Sequence, residues 1–258
     1  MDNHRHVVIT GASGGIGAAL AVRLGAAGHR VALAARRKAE LHDVASRIGA
    51  NAIVVPTDVT RRGDVERLRE RAVEAFGHVD VWVNNAGRGI SRHVVDLSDE
   101  EFDAIMAVNV KSALYGMQAI VPHFIERGRG HVINVSSFLS RVPLATYRSA
   151  YNAAKAALNA LTANLRVDLA ATHPDIHVTL VIPGLVSTEF QQNALGGTPP
   201  MTGQMLQPQS ADEVAAVIAS VIDTPVAEIY TIPRQAAIAQ KYLQDVEAFE
   251  REAAANRR

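Results

Sequence analysis

The chain has no cysteine and a single tryptophan, and aromatic residues make up only 5% of its 258 residues. Without cysteine, disulfides, thiolate metal sites and thiol nucleophiles are excluded. A formal net charge of zero argues against nucleic acid or an anionic membrane as a partner, because both favour a basic surplus. No run approaches the ~20 apolar residues of a membrane-spanning helix, and no apolar signal segment opens the sequence. We therefore expect a soluble, cytoplasmic protein.

Short β-branched runs alternate with longer amphipathic segments along the sequence. The predicted strands are residues 7–10, 31–34, 53–55, 79–83, 131–135, 178–182 and 229–231, and most are apolar throughout. Such strands are typical of a parallel sheet covered by helices on both faces. Helices are predicted near residues 15–27, 38–49, 62–76, 102–127, 150–172 and 211–223. The pattern predicts an α/β fold: a single doubly wound, Rossmann-type domain over residues 1–258, with a mainly parallel seven-stranded sheet flanked by helices.

Two segments depart from this alternation. Residues 185–209 are predicted to form a long loop over the substrate, and they carry no charge from Gln191 to Gln209. Residues 236–255 are predicted to form a C-terminal helix with an apolar stripe, which packs on the domain or on a sister subunit. Capping boxes are predicted at Ser98–Glu101 and Ser210–Glu213, where hydroxyl and carboxylate satisfy free amides at a helix start.

A glycine-rich segment, Thr10-Gly11-Ala-Ser-Gly-Gly15-Ile-Gly17, joins the first strand to the first helix. Glycine lets the backbone turn sharply and approach a ligand closely. The following helix N-terminus offers free amides and a partial positive charge to a pyrophosphate. No Gly-Lys-Ser/Thr follows, which argues against a nucleotide triphosphatase. In this position the segment predicts a dinucleotide site rather than a structural turn.

Tyr151 and Lys155 stand four residues apart on one predicted helix, so they share a face. A free phenol has a pKa of about 10, and a nearby positive charge lowers that value. The pair predicts a tyrosine that exchanges a proton with a substrate oxygen. Taken alone, the spacing is a weak signal and favours a buried ring beside a solvated lysine.

The motifs together resemble the short-chain dehydrogenases/reductases from residue 6 to about residue 232. They are Thr10-Gly11-x-x-x-Gly15-x-Gly17, Asn84-Asn85-Ala86-Gly87, Asn109, Ser137, Tyr151-x-x-x-Lys155 and Pro183-Gly184, in the family's order. The resemblance implies that Tyr151 is the general acid/base and that Lys155 lowers its pKa and binds the nicotinamide ribose. It implies that Ser137 polarises the substrate oxygen and that Asn109 anchors a water between Lys155 and solvent.

Two of these assignments have competitors. Asn109 is also explained as a helix side chain that bonds a nearby backbone carbonyl. Ser137 lies fourteen residues before Tyr151, one more than the family pattern, so Ser136 and Ser140 compete with it.

The resemblance also implies the cofactor contacts. They are Gly11, Ser13, Gly15, Ile16, Gly17, Arg36, Arg37, Asp58, Val59, Asn85, Ala86, Gly87, Tyr151, Lys155, Pro183, Gly184, Val186 and Thr188. Asp58 would contact the adenine amino group, although a loop aspartate that caps the helix after Thr60 is the competing interpretation. Val186 would pair its amide with the nicotinamide carboxamide, and Thr188 would approach the pyrophosphate.

The end of the second strand predicts which cofactor is preferred. Ala35 stands where NAD-specific proteins carry a carboxylate for the ribose hydroxyls. Arg36 follows, and its planar guanidinium suits a phosphate. We therefore predict NADP in preference to NAD, against the alternative of two solvated arginines at a helix start.

Together the residues and the resemblance predict an NADP(H)-dependent oxidoreductase acting on a small carbonyl or alcohol substrate. The uncharged loop favours a neutral, fairly apolar substrate, while Arg88, Arg92, Arg141 and Arg148 keep an anionic one open. A non-catalytic dinucleotide-binding regulator is the alternative. The resemblance implies a homodimer or homotetramer paired through helices 102–127 and 150–172. No helix carries a His-x-x-x-His pair, so no metal site is expected.

Overall fold

The computed structural model describes residues 4–197 and 207–255, and its strands form one seven-stranded sheet. The strands are β1 (His6–Thr10), β2 (Arg30–Ala35), β3 (Ala52–Pro56), β4 (Val81–Asn84), β5 (Gly130–Val135), β6 (Ile176–Ile182) and β7 (Glu228–Tyr230). The predicted fold class is confirmed. Every pairing in this sheet is parallel, so "mainly parallel" understated its regularity.

The strand order is β3-β2-β1-β4-β5-β6-β7, and its reversal at β1 opens a crevice beside the sheet. The chain moves outward from β1 to β3 and then crosses back, so that β4 pairs on the free side of β1. The connections after β1 and β4 therefore leave the sheet in opposite directions, and a crevice opens between them at the carboxyl ends of the strands.

Helices cover both faces of the sheet. They are α1 (Gly15–Ala26), α2 (Lys38–Ile48), α3 (Arg62–Phe76), α4 (Asp99–Met106), α5 (Ser112–Arg127), α6 (Ser149–Ala170), α7 (Ala211–Asp223), α8 (Arg234–Gln244) and α9 (Val246–Ala255). Neighbouring strand residues point to opposite faces, so Val7 and Ile9 join one core with α1 and α7, whereas Val8 joins the other with α3 and α5. Both predicted capping boxes are present, at Ser98 and Ser210.

The predicted helix 102–127 is longer and less regular than expected. It begins at α4 and passes through a π-helical turn, Ala107–Lys111, before α5. Within the described residues, Asp99–Arg127 has the length and hydropathy of a membrane span, with a mean hydropathy of 1.3 in its most apolar window. Of that window 44% is buried, and α5 packs on α3, β4 and β5, as a core helix does.

The prediction of one C-terminal helix over 236–255 is wrong. The chain forms α8 and α9 with a break at Asp245, whose side-chain Oδ1 accepts a hydrogen bond from the Ala248 amide at 2.9 Å. Aspartate favours this capping role over a helix interior. The break folds α9 back, so that Phe249 packs edge-on against Tyr242, with ring centroids 5.5 Å apart. The apolar stripe thus packs at least partly on its own chain.

The loop predicted over 185–209 lies partly outside the described residues. Its two ends meet, because the Ser187 amide donates to the Gln209 carbonyl and the Gln209 amide to the Leu185 carbonyl. Residues 189–197 form turns that hydrogen-bond to residues 89–91 of the β4–α4 connection. The described part of the loop is therefore anchored to the β4–α4 connection.

Candidate active site

A cleft of about 1020 Å³ lies at the carboxyl ends of the strands. It is at the upper end of the ~300–1,000 Å³ range typical of ligand sites. Every predicted cofactor residue except Gly17 lines it, as do the predicted catalytic residues other than Asn109. Residues from well-separated parts of the sequence therefore meet in one cleft.

Glycine is required where the first connection approaches β4. Gly11 has a φ of +69°, and a Cβ there would lie 2.9 Å from the Ala86 Cα. Gly17 does not line the cleft; a Cβ on it would collide with the Gly11 carbonyl and lie 2.6 Å from the Asn85 Nδ2. Gly17 therefore lets α1 pack against the loop, while Gly11 and Gly15 leave the cleft floor open.

The segment after β4 links three strands. Asn85 donates from Nδ2 to the Thr10 carbonyl at 2.9 Å, and its amide donates to the Thr10 hydroxyl at 3.0 Å. Asn84 donates to the Asn134 side chain on β5 at 2.8 Å. The following residues Ala86 and Gly87 line the cleft. This segment thus stitches the sheet together at the crevice and exposes its backbone to a ligand.

Asp58 forms a local turn rather than a helix cap, and its contact with adenine stays a prediction. Its Oδ1 accepts from the Thr60 amide at 3.0 Å and from the Thr60 hydroxyl at 2.7 Å, which is the local turn-forming use of an aspartate. Asp58 and Val59 also line the cleft at the end of β3. The local bonds hold the carboxylate in place without removing it from the cleft.

The two arginines after β2 differ in their environment. Arg37 lies across the glycine loop: its Nε donates to the Ser13 hydroxyl at 3.2 Å, and its Nη1 lies 3.4 Å from the Glu189 carboxylate. Arg36 is exposed, lines the cleft and makes no side-chain hydrogen bond or ion pair within the described part of the chain. Ala35, at the end of β2, brings no carboxylate near it. Arg36 is therefore the guanidinium available to a ligand.

Tyr151 and Ser137 meet inside the cleft. Tyr151 is 7% exposed on α6, and Ser137 follows β5. Both line the cleft, and the Ser137 hydroxyl lies close enough to the phenol to act against the burial that raises its pKa. Its competitors face elsewhere: Ser136 donates to the Asn159 side chain at 2.5 Å, and Ser140 accepts from the Asn159 amide at 2.8 Å. Of the three serines, Ser137 has the geometry expected of a group that shares a substrate oxygen with Tyr151.

Lys155 is buried near Tyr151 on α6. It is 3% exposed, its Nζ donates to the Val135 carbonyl at 2.8 Å, and this nitrogen is 5.8 Å from the Tyr151 ring centroid. Burial lowers the pKa of the ammonium to about 8. Burial also raises the pKa of Tyr151 to about 12, against the Ser137 hydroxyl and the positive charge of Arg148, which act to lower it.

The predicted lowering of the phenol's pKa stays a prediction for the site with its charged cofactor ring bound, and burial alone acts in the opposite direction. Desolvation of a fully enclosed ring outweighs the nearby cations, because the charged form loses its water.

Asn109 is 1% exposed in the π-helical turn. Its Nδ2 donates to the Arg88 carbonyl at 2.9 Å and to the Ile105 carbonyl at 3.0 Å, while its Oδ1 accepts from the Arg88 amide at 3.2 Å. The side chain thus makes the local backbone bonds of the competing interpretation. It still lies next to Lys155, since a Cβ on Gly87 would be 2.9 Å from the Asn109 Oδ1 and 3.6 Å from the Lys155 Nζ.

Comparison with known proteins assigns the chain to a family. The short chain dehydrogenase family model matches residues 5–197. An uncharacterised oxidoreductase from Staphylococcus epidermidis is 35% identical over 185 residues, which cover 72% of this chain and 79% of the relative. The chain belongs to the short-chain dehydrogenase/reductase family. It is an NAD(P)-dependent dehydrogenase or reductase of that family.

Two solved structures share the fold over most of the chain. One from Burkholderia phymatum, in complex with NAD, superposes with a TM-score of 0.85 at 26% identity, covering 95% of each chain. An alcohol dehydrogenase from Thermococcus sibiricus, complexed with 5-hydroxy-NADP, gives a TM-score of 0.77 at 28% identity and covers 90% of this chain and 98% of its own.

Several lining residues of this short-chain dehydrogenase/reductase were not predicted from the sequence. Phe190, from the segment after β6, packs edge-on against Tyr151 with ring centroids 5.4 Å apart. The C-terminal helices contribute Gln235, Ile238 and Phe249 to the cleft wall. Gln235 is buried, and its Oε1 accepts no hydrogen bond within the described residues. The apolar stripe of the C-terminal segment was the available signal, but nothing in it indicated which surface it covers.

The four arginines considered for an anionic substrate differ in their partners. Arg92 pairs with Glu101 at 3.0 Å, and Arg141 pairs with Glu228. Arg88 donates to the Asn193 carbonyl at 3.0 Å and Arg148 to the Ile90 carbonyl at 3.0 Å. Only Arg88 and Arg148 of these four line the cleft.

Among the described residues, one histidine cluster has the spacing of a metal site, at the opposite edge of the sheet. His6, His78 and Asp80 bring their ligand atoms within 4.8 Å of one another. The Asp80 carboxylate is already used, because it pairs with Arg127 at 3.1 Å and accepts the His6 amide at 2.9 Å. The cluster lies far in the fold from the cleft, and we assign it a structural role.

Proposed function

We propose that this short-chain dehydrogenase/reductase transfers hydride between NADP(H) and a carbonyl/alcohol pair, with Tyr151 as the general acid/base. The observation that carries the proposal is that Ser137, Tyr151 and the buried Lys155 line the same cleft. Two hydroxyls from β5 and α6 then converge where one substrate oxygen can accept from both. A regulator that only bound a dinucleotide would gain nothing from this arrangement.

The cleft fits a nicotinamide dinucleotide. Glycine residues with positive φ, Gly11 and Gly15, open its floor at the start of α1, where free amides favour a pyrophosphate. Asp58 and Val59 would hold the adenine, and Asn85, Ala86 and Gly87 the ribose beside it. Lys155, Pro183, Gly184, Val186 and Thr188 would hold the nicotinamide half. When bound, the reduced nicotinamide supplies the hydride.

The preference for NADP rests on Arg36 and Ala35. The two solved relatives carry NAD and 5-hydroxy-NADP, so the fold itself accepts either type of cofactor. In this chain a free guanidinium follows β2 and no carboxylate replaces Ala35, which favours a ribose phosphate over a bare ribose hydroxyl. Arg37, bonded to Ser13 and paired with Glu189, would instead hold the glycine loop that both types of cofactor contact.

The chain's own residues provide the proton chemistry. Ser137 would donate a hydrogen bond to the carbonyl oxygen and stabilise the charge that develops on it. Tyr151 would then donate its proton to that oxygen, and in the reverse direction it would take the proton back. Because burial raises the pKa of Tyr151 to about 12, the phenol is protonated at neutral pH, which is the form required for reduction. Lys155 would favour the phenolate left behind.

The substrate wall favours a neutral, fairly apolar compound. Phe138, Val142, Leu144, Phe190, Ile238 and Phe249 line the cleft around the Ser137–Tyr151 pair. Such a wall buries apolar surface at about 25 cal/mol per Å², while two hydroxyls orient the reacting oxygen. Residues 1–258 would act as one dinucleotide-binding and catalytic domain, paired as a homodimer or homotetramer through the α4–α5 and α6 helices, which expose Ile125 and Val167.

The experiment is a screen of ketones, aldehydes and alcohols with NADPH and NADH, followed by absorbance of the reduced nicotinamide. We expect turnover of neutral apolar carbonyls, with NADPH the better donor. Tight NADPH binding without oxidation across the panel would instead support the regulator. Size-exclusion chromatography with light scattering tests the assembly, and a monomer would contradict the proposed pairing.

A further inference from the structure

Arg148, the residue before α6, is a buried cation in the cleft without an acidic partner. It is 4% exposed and lines the cleft. No ion pair among the described residues involves it. Burial lowers the pKa of Arg148 from its ordinary value. A guanidinium starts so far above neutral pH that it still keeps its proton, and an uncompensated buried charge is costly. A buried, unpaired cation at this position therefore suggests a role in the chemistry of the cleft.

Neutral groups fix the position of this guanidinium. Nη1 donates to the Ile90 carbonyl at 3.0 Å, and Nη2 donates to the Gln191 Oε1 at 2.7 Å. The first acceptor belongs to the β4–α4 connection and the second to the segment after β6. Both acceptors orient the guanidinium, and neither cancels its charge. Tyr151 lies three residues farther along, within one helical turn, and the positive charge of Arg148 acts to lower the pKa of this phenol.

No other group that faces Tyr151 in the described residues keeps its positive charge as firmly as Arg148 near neutral pH. Lys155 faces it from α6, but burial lowers the pKa of this ammonium to about 8. The end of β5 presents the Ser137 hydroxyl, α4 presents Ile105, the π-helical turn presents Val110, and the segment after β6 presents Phe190. The remaining ionisable groups that line the cleft are Arg36, Arg37, Asp58, Arg88, Tyr147 and Glu189. Arg37 and Glu189 pair with each other, and Arg88 is bonded to Asn193 in the exposed outer wall.

We infer that Arg148 is a positioning residue: its guanidinium, held by Ile90 and Gln191, supplies the permanent positive charge that stabilises the Tyr151 phenolate when the proton leaves. The inference rests on the proposed function, in which Tyr151 exchanges that proton. It adds a second cation to the proton-transfer site, from the N-terminal side of α6, whereas Lys155 acts from the C-terminal side.

Two variants remove the charge by independent routes. Arg148→Gln deletes the guanidinium. Gln191→Glu keeps Arg148 and the shape of its partner but places a carboxylate at the acceptor 2.7 Å from Nη2, which neutralises the field. We expect each variant to shift the Tyr151 pKa upward on the order of one pH unit. In the oxidation direction, kcat/KM would then fall about tenfold at each pH on the rising limb, since the phenolate fraction falls tenfold per unit.

Matched controls separate charge from structure. Gln191→Met removes the same hydrogen bond without adding a charge, and Arg88→Gln removes a cleft arginine bonded to the same segment. Neither should move the pH profile, whatever its effect on kcat. Arg148→Lys keeps a positive charge and should therefore leave the Tyr151 pKa close to its wild-type value. The inference is overturned if Gln191→Glu leaves the profile in place, or if Gln191→Met moves it equally far. This pair decides the question even if Arg148→Gln does not fold.

A readout without turnover keeps this test separate from the proposed function. Ultraviolet titration of the phenolate in the NADP⁺ complex, with the Tyr151→Phe protein subtracted, reports the same pKa. If no substrate is found but Gln191→Glu raises this pKa and Gln191→Met does not, the inference holds while the oxidoreductase proposal fails. If neither variant moves it, the inference fails even in an active enzyme.

Discussion

The free guanidinium of Arg36 predicts how strongly the enzyme distinguishes NADPH from NADH. Arg36 makes no side-chain bond within the described residues, so it breaks no protein contact when it turns to a phosphate. A hydrogen bond to a charged group contributes about 1.5–3 kcal/mol. Because Arg36 is exposed, solvent screening favours the lower half of this range. We therefore expect Arg36→Ala to weaken NADPH by about 10-fold to 50-fold, at ~1.4 kcal/mol per decade.

The same change should leave NADH nearly untouched, because a bare ribose hydroxyl offers the guanidinium no charge. Fluorescence titration of the reduced cofactors at fixed ionic strength measures both affinities. The NADPH loss should shrink as salt is added, since the Debye length falls from about 10 Å at 0.1 M to about 3 Å at 1 M.

Arg37→Ala is the matched control. Arg37 already bonds Ser13 and Glu189, so its loss should alter the loop and weaken both cofactors by similar factors. Ala35→Asp, which restores the missing carboxylate, should move the preference toward NADH. Equal losses of NADPH and NADH in Arg36→Ala would refute the reasoning.

Two further predictions concern the catalytic wall and the core. Ser137→Ala should lower kcat by about 10²–10³-fold with NADPH affinity unchanged, as expected for a lost donor to a developing oxyanion. The control is Ser140→Ala, because the Ser140 hydroxyl is bonded to Asn159. Equal effects of the two variants on kcat would contradict the role of Ser137. Burial lowers the pKa of His131 to about 3. The unfolded chain thus binds a proton that the folded protein does not below pH ~6.5, and the free energy of unfolding should fall by up to about 1.4 kcal/mol per pH unit as pH drops from there toward 3. Denaturant titrations should show a steeper slope in the wild type than in His131→Gln, because His6, His29 and His123, whose pKa values burial also lowers, contribute equally to both. Identical slopes would exclude the assignment.

The fold was predictable because its signals are local. Each buried strand is a short apolar run, and each capping box is a Ser followed by Glu three residues later. The glycine loop was recognisable for the same reason, since Gly11 and Gly15 need a positive φ that other residues avoid. The predicted cofactor and catalytic residues, other than Gly17 and Asn109, line one cleft because parallel strands bring their carboxyl ends together.

What the sequence could not provide depends on distant partners. The pKa of Tyr151 is set by full burial under Phe190, and this contact joins residues 39 positions apart on different elements. Arg148 has no negatively charged partner because the two groups that accept its hydrogen bonds, the Ile90 carbonyl and the Gln191 side chain, are neutral. The break at Asp245 was missed because the apolar stripe continues through it, and only the capping bond to Ala248 ends the first helix there.

Replacement of Tyr151 by phenylalanine tests the central claim most directly. The variant keeps the ring that packs against Phe190 and loses only the hydroxyl that exchanges the proton. We predict a fall in kcat of at least about 10²–10⁴-fold, the typical contribution of a general acid/base, with NADPH affinity within a few-fold of wild type. A variant that binds NADPH normally and reduces the same carbonyl at the wild-type rate would contradict the account.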